Sequence, residues 1–395
     1  MKKKIFCLIS MLMTPILFLI LITAVNIINL PNKIYTRNEE TVPSVAPIGN
    51  TISQINNSNK YEIKFLGMIP LKSVEVEKIK ELEVYPGGMP IGVRVNSEGV
   101  LIVGYSDIEI NNEKQESPAK TSGLEIGDVI LKINGIDMHS SKDLSKAIKQ
   151  SEKDSIKVDI LRHGENMTKI VQLKKENNKD YKIGLWIRDS TAGVGTITFY
   201  DAESKKFGAL GHPITDSDTN EPFLIKSGDV IESNIISIRK GEKGSPGELK
   251  GIFINESCPN GTIEKNTQSG IFGKLENNIF QDIATKPLKI GFRDEIVEGK
   301  AKIITTIDEN GPQEYEIEIE KLLNQTCASS KSMVIRVTDP KLLEKTGGIV
   351  QGMSGSPIIQ NDKIVGAVTH VLINKPDKGY GIYIEWMLQD AGIIK

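Results

Sequence analysis

At 395 residues the chain is long enough for two or three folded units, and 39% hydrophobic with 25% charged residues excludes a disordered chain and a polytopic membrane protein for its bulk. Lys plus Arg number 49 against 51 Asp plus Glu, a net charge of -2 that supplies no positive field for nucleic acid. Three cysteines exclude a disulfide framework, and four histidines, His139, His163, His212 and His370, restrict any chemistry that needs imidazole.

Lys2, Lys3 and Lys4 precede an uncharged stretch over residues 5–30, whose apolar core has the length of a transmembrane helix. No small-x-small cleavage site stands near Ala24, so residues 1–30 are expected to be an uncleaved signal anchor. The leading lysines favour a cytoplasmic N-terminus and place the soluble part on the extracytoplasmic side, membrane-anchored or secreted. Residues 31–60, rich in Pro, Asn, Ser and Thr, are expected to be a flexible linker. Cys258 and Cys327 lie far beyond it, and the sequence leaves open whether they pair.

From residue 61 to about 175 short alternating segments alternate with turn signals. Gly87-Gly88-Met89-Pro90-Ile91-Gly92 precedes the strand-like Val93-Arg94-Val95, a loop whose backbone N–H groups can hold a carboxylate. Ser117-Pro118-Ala119, Gly123-Leu124 and Gly127-Asp128 follow, then the hairpin dipeptide Asn134-Gly135, then a helix expected to be capped by Ser141 with Leu144, Ala147 and Ile148 on one face. This succession resembles a PDZ domain over residues 61–175, leading strands included. The resemblance implies that a peptide, an outside ligand or a piece of the own chain, adds as a strand between the helix at 141–150 and the loop that contributes Gly87, Gly88, Met89, Ile91 and Gly92. Pro90 departs from the usual loop pattern because it lacks an N–H donor.

Residues 176–395 are rich in Ile, Val and Thr with glycine-containing turns, so a mainly β domain is expected. Within Gly352-Met353-Ser354-Gly355-Ser356-Pro357, small neighbours let a serine sit on a tight turn and bring backbone donors to one point. The loop resembles the nucleophile loop of chymotrypsin-like serine peptidases, and the alignment selects Ser354, not Ser356, with Gly352 and Ser354 N–H groups as the oxyanion hole. Met353 stands where that loop normally carries an acid, which removes the activation switch built on that acid. A serine nucleophile needs a base. His139 and His163 fall in turns of the PDZ-like region, and His370 in an apolar strand, where it is a minor alternative; His212, in Gly208-Ala209-Leu210-Gly211-His212-Pro213, is the expected base. For the group that orients His212, the candidates Asp201, Asp216, Asp218 and Asp339 are equal on sequence physics. Cys258 has no accompanying base, and the absence of His-Glu-x-x-His disfavours zinc chemistry, so no metal or cofactor is expected.

The anchor, the PDZ-like region, Gly-Ala-Leu-Gly-His, Gly-Met-Ser-Gly-Ser-Pro, Gly366-Ala-Val-Thr-His-Val and Gly379-Tyr-Gly-Ile-Tyr-Ile-Glu-Trp together resemble the SpoIVB peptidase family over nearly the full chain. The resemblance implies a chymotrypsin-like β-barrel serine peptidase domain with catalytic His212, Asp339 and Ser354. It also implies self-cleavage and cleavage of a membrane-bound, SpoIVFA-like sporulation regulator in the forespore intermembrane space, which triggers pro-sigma-K processing. Only 15 residues separate Asp339 from Ser354, shorter than in chymotrypsin, so the strands around the acid are expected to differ. The competing expectation is a membrane-anchored PDZ adaptor whose peptidase-like domain is inactive.

Overall fold

The structure, a computed structural model, describes residue 14 and residues 33–36, 50–55, 58–65, 67–79, 81–110, 112–151, 153–175, 180–276, 286–323, 325 and 327–394. Apart from Thr14, the expected anchor over residues 1–30 lies outside the described residues, among which no helix is long and apolar enough to cross a membrane.

The expected flexible linker is corrected in part. Lys33–Thr36, Asn50–Gln54, Lys60–Phe65 and Ile69–Lys78 join in a four-stranded sheet. Lys33–Thr36 runs parallel to the end of Ile69–Lys78, and Tyr35 is buried against Phe292 with ring centroids 6.3 Å apart. A four-residue strand with one inward aromatic is too short to show a period of two amid polar residues.

Three hydrophobic cores follow. The first, with Val100, Ile102, Ile130, Ile133, Leu144, Ile148, Ile156 and Val158, is that of the PDZ-like unit. Its helix Ser141–Lys149 is capped by Ser140, whose side chain accepts from the Asp143 N–H; the expected cap, Ser141, sends its own N–H to Asp189 instead. Asn134 and Gly135, at φ 49° and 84°, turn Val129–Ile133 into Ile136–Asp137 as the dipeptide foretold. Asp128 is buried and takes a two-pronged ion pair from Arg162, Nε to Oδ1 at 2.6 Å and Nη2 to Oδ2 at 2.7 Å.

The other two cores fill two closed rings of antiparallel strands. In the first, Pro90–Tyr105 pairs with Leu185–Asp201, which pairs with Lys206–Ala209, then Gly270–Leu275, Gly261–Thr267 and Ile225–Arg239, which returns to Pro90–Tyr105. In the second, Gly299–Thr305, Gln313–Leu322, Met333–Val337, Lys375–Tyr383, Lys363–Leu372 and Pro357–Gln360 close in that order. Inward Ile91, Val93, Val95, Ile197 and Val230 pack the first ring; Ile303, Ile317, Ile335, Ile358 and Val368 pack the second.

This placement corrects the reading of Gly87, Gly88, Met89, Ile91 and Gly92 as a peptide-binding loop. Gly87 donates to Thr198 O at 2.9 Å and Gly88 to Ile197 O at 2.8 Å, Met89 and Ile91 are buried, and Ile91 and Gly92 pair with strands on both sides. The Gly87 and Gly88 donors that would hold a carboxylate are already spent. A Cβ on Gly87 would lie 2.1 Å from Ile197 O, so the glycine serves a close approach of backbones. The strand Pro90–Tyr105 is shared between units, and the expected boundary near residue 175 does not separate two sheets.

Candidate active site

The second ring's helix Pro340–Thr346 ends at Gly347 in the left-handed region, and the chain then runs through residues 348–356 into the strand Pro357–Gln360. That loop is held from the first ring. Thr196 N donates to Ser354 O at 3.0 Å, Thr196 Oγ1 to Gly352 O at 2.7 Å, and Thr198 Oγ1 to Gly355 O at 2.7 Å. Gly355 sits at φ 98° with a would-be Cβ 2.0 Å from Thr196 O, so only glycine fits there. The Gly352 and Ser354 carbonyls are thus engaged, and no acceptor takes either N–H among the described residues. Ser354 Oγ donates to Thr369 O at 2.8 Å. Ser356, by contrast, is buried with an unpartnered hydroxyl, and Met353 is part of the second core.

His212 follows the first ring's strand Lys206–Ala209 by way of Leu210 and Gly211, both at positive φ. Its Nδ1 lies 2.8 Å from Pro213 O. A carbonyl can only accept, so the proton is on Nδ1 and Nε2 is the basic atom. Burial lowers the imidazole below its ordinary value of 6.5, outweighing the Pro213 carbonyl, which raises it. The loop beyond is clamped by Asn266, which accepts from Ile214 N at 2.8 Å and donates to Ile214 O and Phe223 O. The His370 ring stands with its centroid 4.9 Å from that of His212, and its Nδ1 is buried without a partner. Burial, then His212, then Lys331 lower His370 to about 4.

His212, Ser354, Gly352 and His370 line one cavity of about 550 Å³ where the two rings meet. A larger groove of about 1430 Å³ lies elsewhere, along Ile236 and Ile252, and is lined by no histidine. Asp339, the acid that the family resemblance implied, is not among the residues that line this cavity. It caps the helix Pro340–Thr346: its Oδ1 accepts from Leu342 N at 3.0 Å and its Oδ2 from Glu316 N at 3.3 Å. The other acids are engaged too. Asp201 accepts from Ser204 N and Oγ. Asp216 and Asp218 take the Arg188 guanidinium. Burial pushes Asp216 up, but the Thr219 and Asp218 N–H groups and Arg188 hold it below the usual carboxylate value. Among the described residues no carboxylate bonds His212, and no cluster of His, Cys, Asp or Glu is placed to hold a metal ion. Cys258 and Cys327 are exposed and unpaired.

Sequence reasoning missed Thr196, Thr198 and Asn266. Nothing local marks two threonines in a β-rich run; Asn266 carried a faint signal, a polar residue just ahead of the turn at Ser269-Gly270.

Two family models match the two halves of the chain. The model of the family described as SpoIVB peptidase S55 matches residues 179–388, and a PDZ domain model matches residues 87–173. A zinc metalloprotease RasP from Shouchella clausii (strain KSM-K16) is 38% identical over 60 residues, 15% of this chain and 14% of that protein. Among solved structures, the PDZ domain of the SdrC-like protein from Listeria monocytogenes aligns with a TM-score of 0.18 and 21% identity, covering 23% of this chain and 87% of that one. The active form of the Rv3671c protease from M. tuberculosis aligns with a TM-score of 0.28 and 12% identity, covering 52% and 76%.

Proposed function

The chain belongs to the SpoIVB peptidase S55 family, and from that premise we propose that this serine peptidase is a sporulation signalling endopeptidase whose catalytic pair is Ser354 and His212. Ser354 Oγ attacks the scissile carbonyl while its proton passes to His212 Nε2. The Gly352 and Ser354 N–H groups take the tetrahedral oxyanion. The imidazolium, steadied at Nδ1 by Pro213 O, then gives its proton to the leaving amine, and water activated by the same Nε2 releases the acyl group. Pro213 O thereby does what a carboxylate does in the usual triad: it fixes the tautomer.

One observation carries the reading: two groups far apart in sequence and borne by different rings line a single cavity. Family membership supports the finer parts of the proposal: a chymotrypsin-like barrel pair, self-cleavage, a membrane-bound regulator of sporulation as substrate, a PDZ unit that takes a peptide or the own chain, and an N-terminal anchor that holds the catalytic part on the extracytoplasmic side. Incubating the full chain in detergent, wild type beside Ser354→Ala, and reading fragment masses over time tests it. Fragments confined to the wild type are expected; fragments of equal yield from both chains would remove Ser354 as the nucleophile.

A further inference from the structure

The catalytic cavity has a character that the Ser354–His212 pair does not require. Among the described residues its lining holds no Asp, Glu, Lys or Arg, and its walls include Val194, Leu210, Ile214, Val350, Val371 and Ile373. The two imidazoles are its titratable lining groups, and burial favours the neutral form of each. Two strand edges border it. Residues 191–194 pair on one side with the strand Pro90–Tyr105 and have no strand on the other among the described residues. Residues 370–371 pair with Lys375–Tyr383, while the partner strand on their other side, Pro357–Gln360, stops at Ala367. Such edges accept an extended chain by main-chain hydrogen bonds, leaving the side chains to the walls.

We propose that this site takes an extended peptide whose side chains next to the cut bond are apolar and uncharged, and that Ile373 is a residue that sets this preference. The proposal rests on the reading of Ser354 as nucleophile. A Lys or Glu side chain carried between these walls gives up its hydration and meets no counter-charge, a penalty that rejects it by roughly 10- to 100-fold against Leu. Ile373 is 53% exposed and lines the cavity, so a charge placed there changes the recognition of substrate without opening a hole in either core.

The test uses the full chain in detergent and three peptidyl diphenyl phosphonates that differ only in a Leu-, Lys- or Glu-like side chain beside phosphorus, together with a simple alkyl fluorophosphonate. In each reaction the Ser354 oxygen bonds to phosphorus, phenoxide or fluoride leaves, and the hydroxyl proton goes to His212. The Leu-like probe is expected to modify Ser354 at least about tenfold faster than the other two. Ile373→Asp should raise the Lys-to-Leu rate ratio, and Ile373→Lys the Glu-to-Leu ratio, each about tenfold. Equal rates in the wild type, ratios unmoved in both variants, or labelling by the fluorophosphonate but by none of the peptidyl probes would each overturn the preference and leave Ser354 in place. Labelling by none of the four, or equal labelling of Ser354→Ala, would remove the nucleophile and the preference together.

Discussion

In the proposed mechanism neutral imidazole is the working form of His212, and burial favours that form. Because burial lowers its pKa from 6.5, the acid limb of kcat/KM is expected to fall below the ordinary histidine value, with activity lost as pH drops through the lowered pKa and level above it. A pH profile on a short peptide substrate checks this; a limb above 6.5 would mean that a carboxylate holds the imidazolium in the working enzyme. Asp339 gives the complementary experiment. As a helix cap its loss in Asp339→Ala is expected to cost about 1 kcal/mol by denaturant titration, whereas Asp339→Asn, which can still accept from Leu342 N, keeps both stability and turnover within a few-fold. A drop of about a hundredfold or more in the Asn variant, with unchanged stability, would put Asp339 beside His212 during turnover. The sequence carried the evidence for both roles. Asp339 followed by Pro340 is an N-cap with proline at the first helical position, a purely local signal. Its distance from His212 is a tertiary fact that no spacing rule contains. Ser354 and His212, which line one cavity, could be singled out in the sequence because turn glycines and the scarcity of histidine are properties of the chain itself.

The strand Leu185–Asp201 pairs along the first ring, borders the cavity with residues 191–194, and pins the nucleophile loop through Thr196 and Thr198. Thr196→Val keeps the shape and removes the donor to Gly352 O. The expected result is a loss of about 1 kcal/mol in stability, and a fall of roughly tenfold in kcat with KM little changed, because the loosened peptide unit lies between the two that carry the oxyanion donors. Thermal unfolding together with steady-state kinetics separates these; an unchanged kcat would show that the loop holds its form without Thr196. The misread loop at 87–92 belongs to this scale as well. Glycines beside a strand look alike whether they cradle a ligand or let two backbones meet, and only the presence of Ile197 at the Cβ position of Gly87 distinguishes them.

Across the whole molecule the PDZ-like unit and the first ring share two strands, Pro90–Tyr105 and Leu185–Asp201, paired from Leu185 with Tyr105 to Thr196 with Pro90. Removing one partner of a buried ion pair in one unit should therefore be felt in the other. Asp128→Ala removes the buried carboxylate of Arg162 and leaves it the exposed Glu125 and the Gly123 carbonyl, and is expected to cost about 3 kcal/mol. Calorimetry should show a single transition moved to lower temperature, with peptidase activity lost along it; two separated transitions would show that the units fold apart. Composition announced the three cores only as a number of units, since an apolar alternating strand reads the same in either sheet. The sharing also bears on how such a protein can be rearranged. A unit joined by a tether can be exchanged like a cassette, but here the border runs lengthwise along two strands. A chimaera made by a single crossover between residues 106 and 184 would draw the two strands from different parents and so would have to match them anew along their whole length. The PDZ-like and peptidase halves are therefore expected to have diverged as a matched pair.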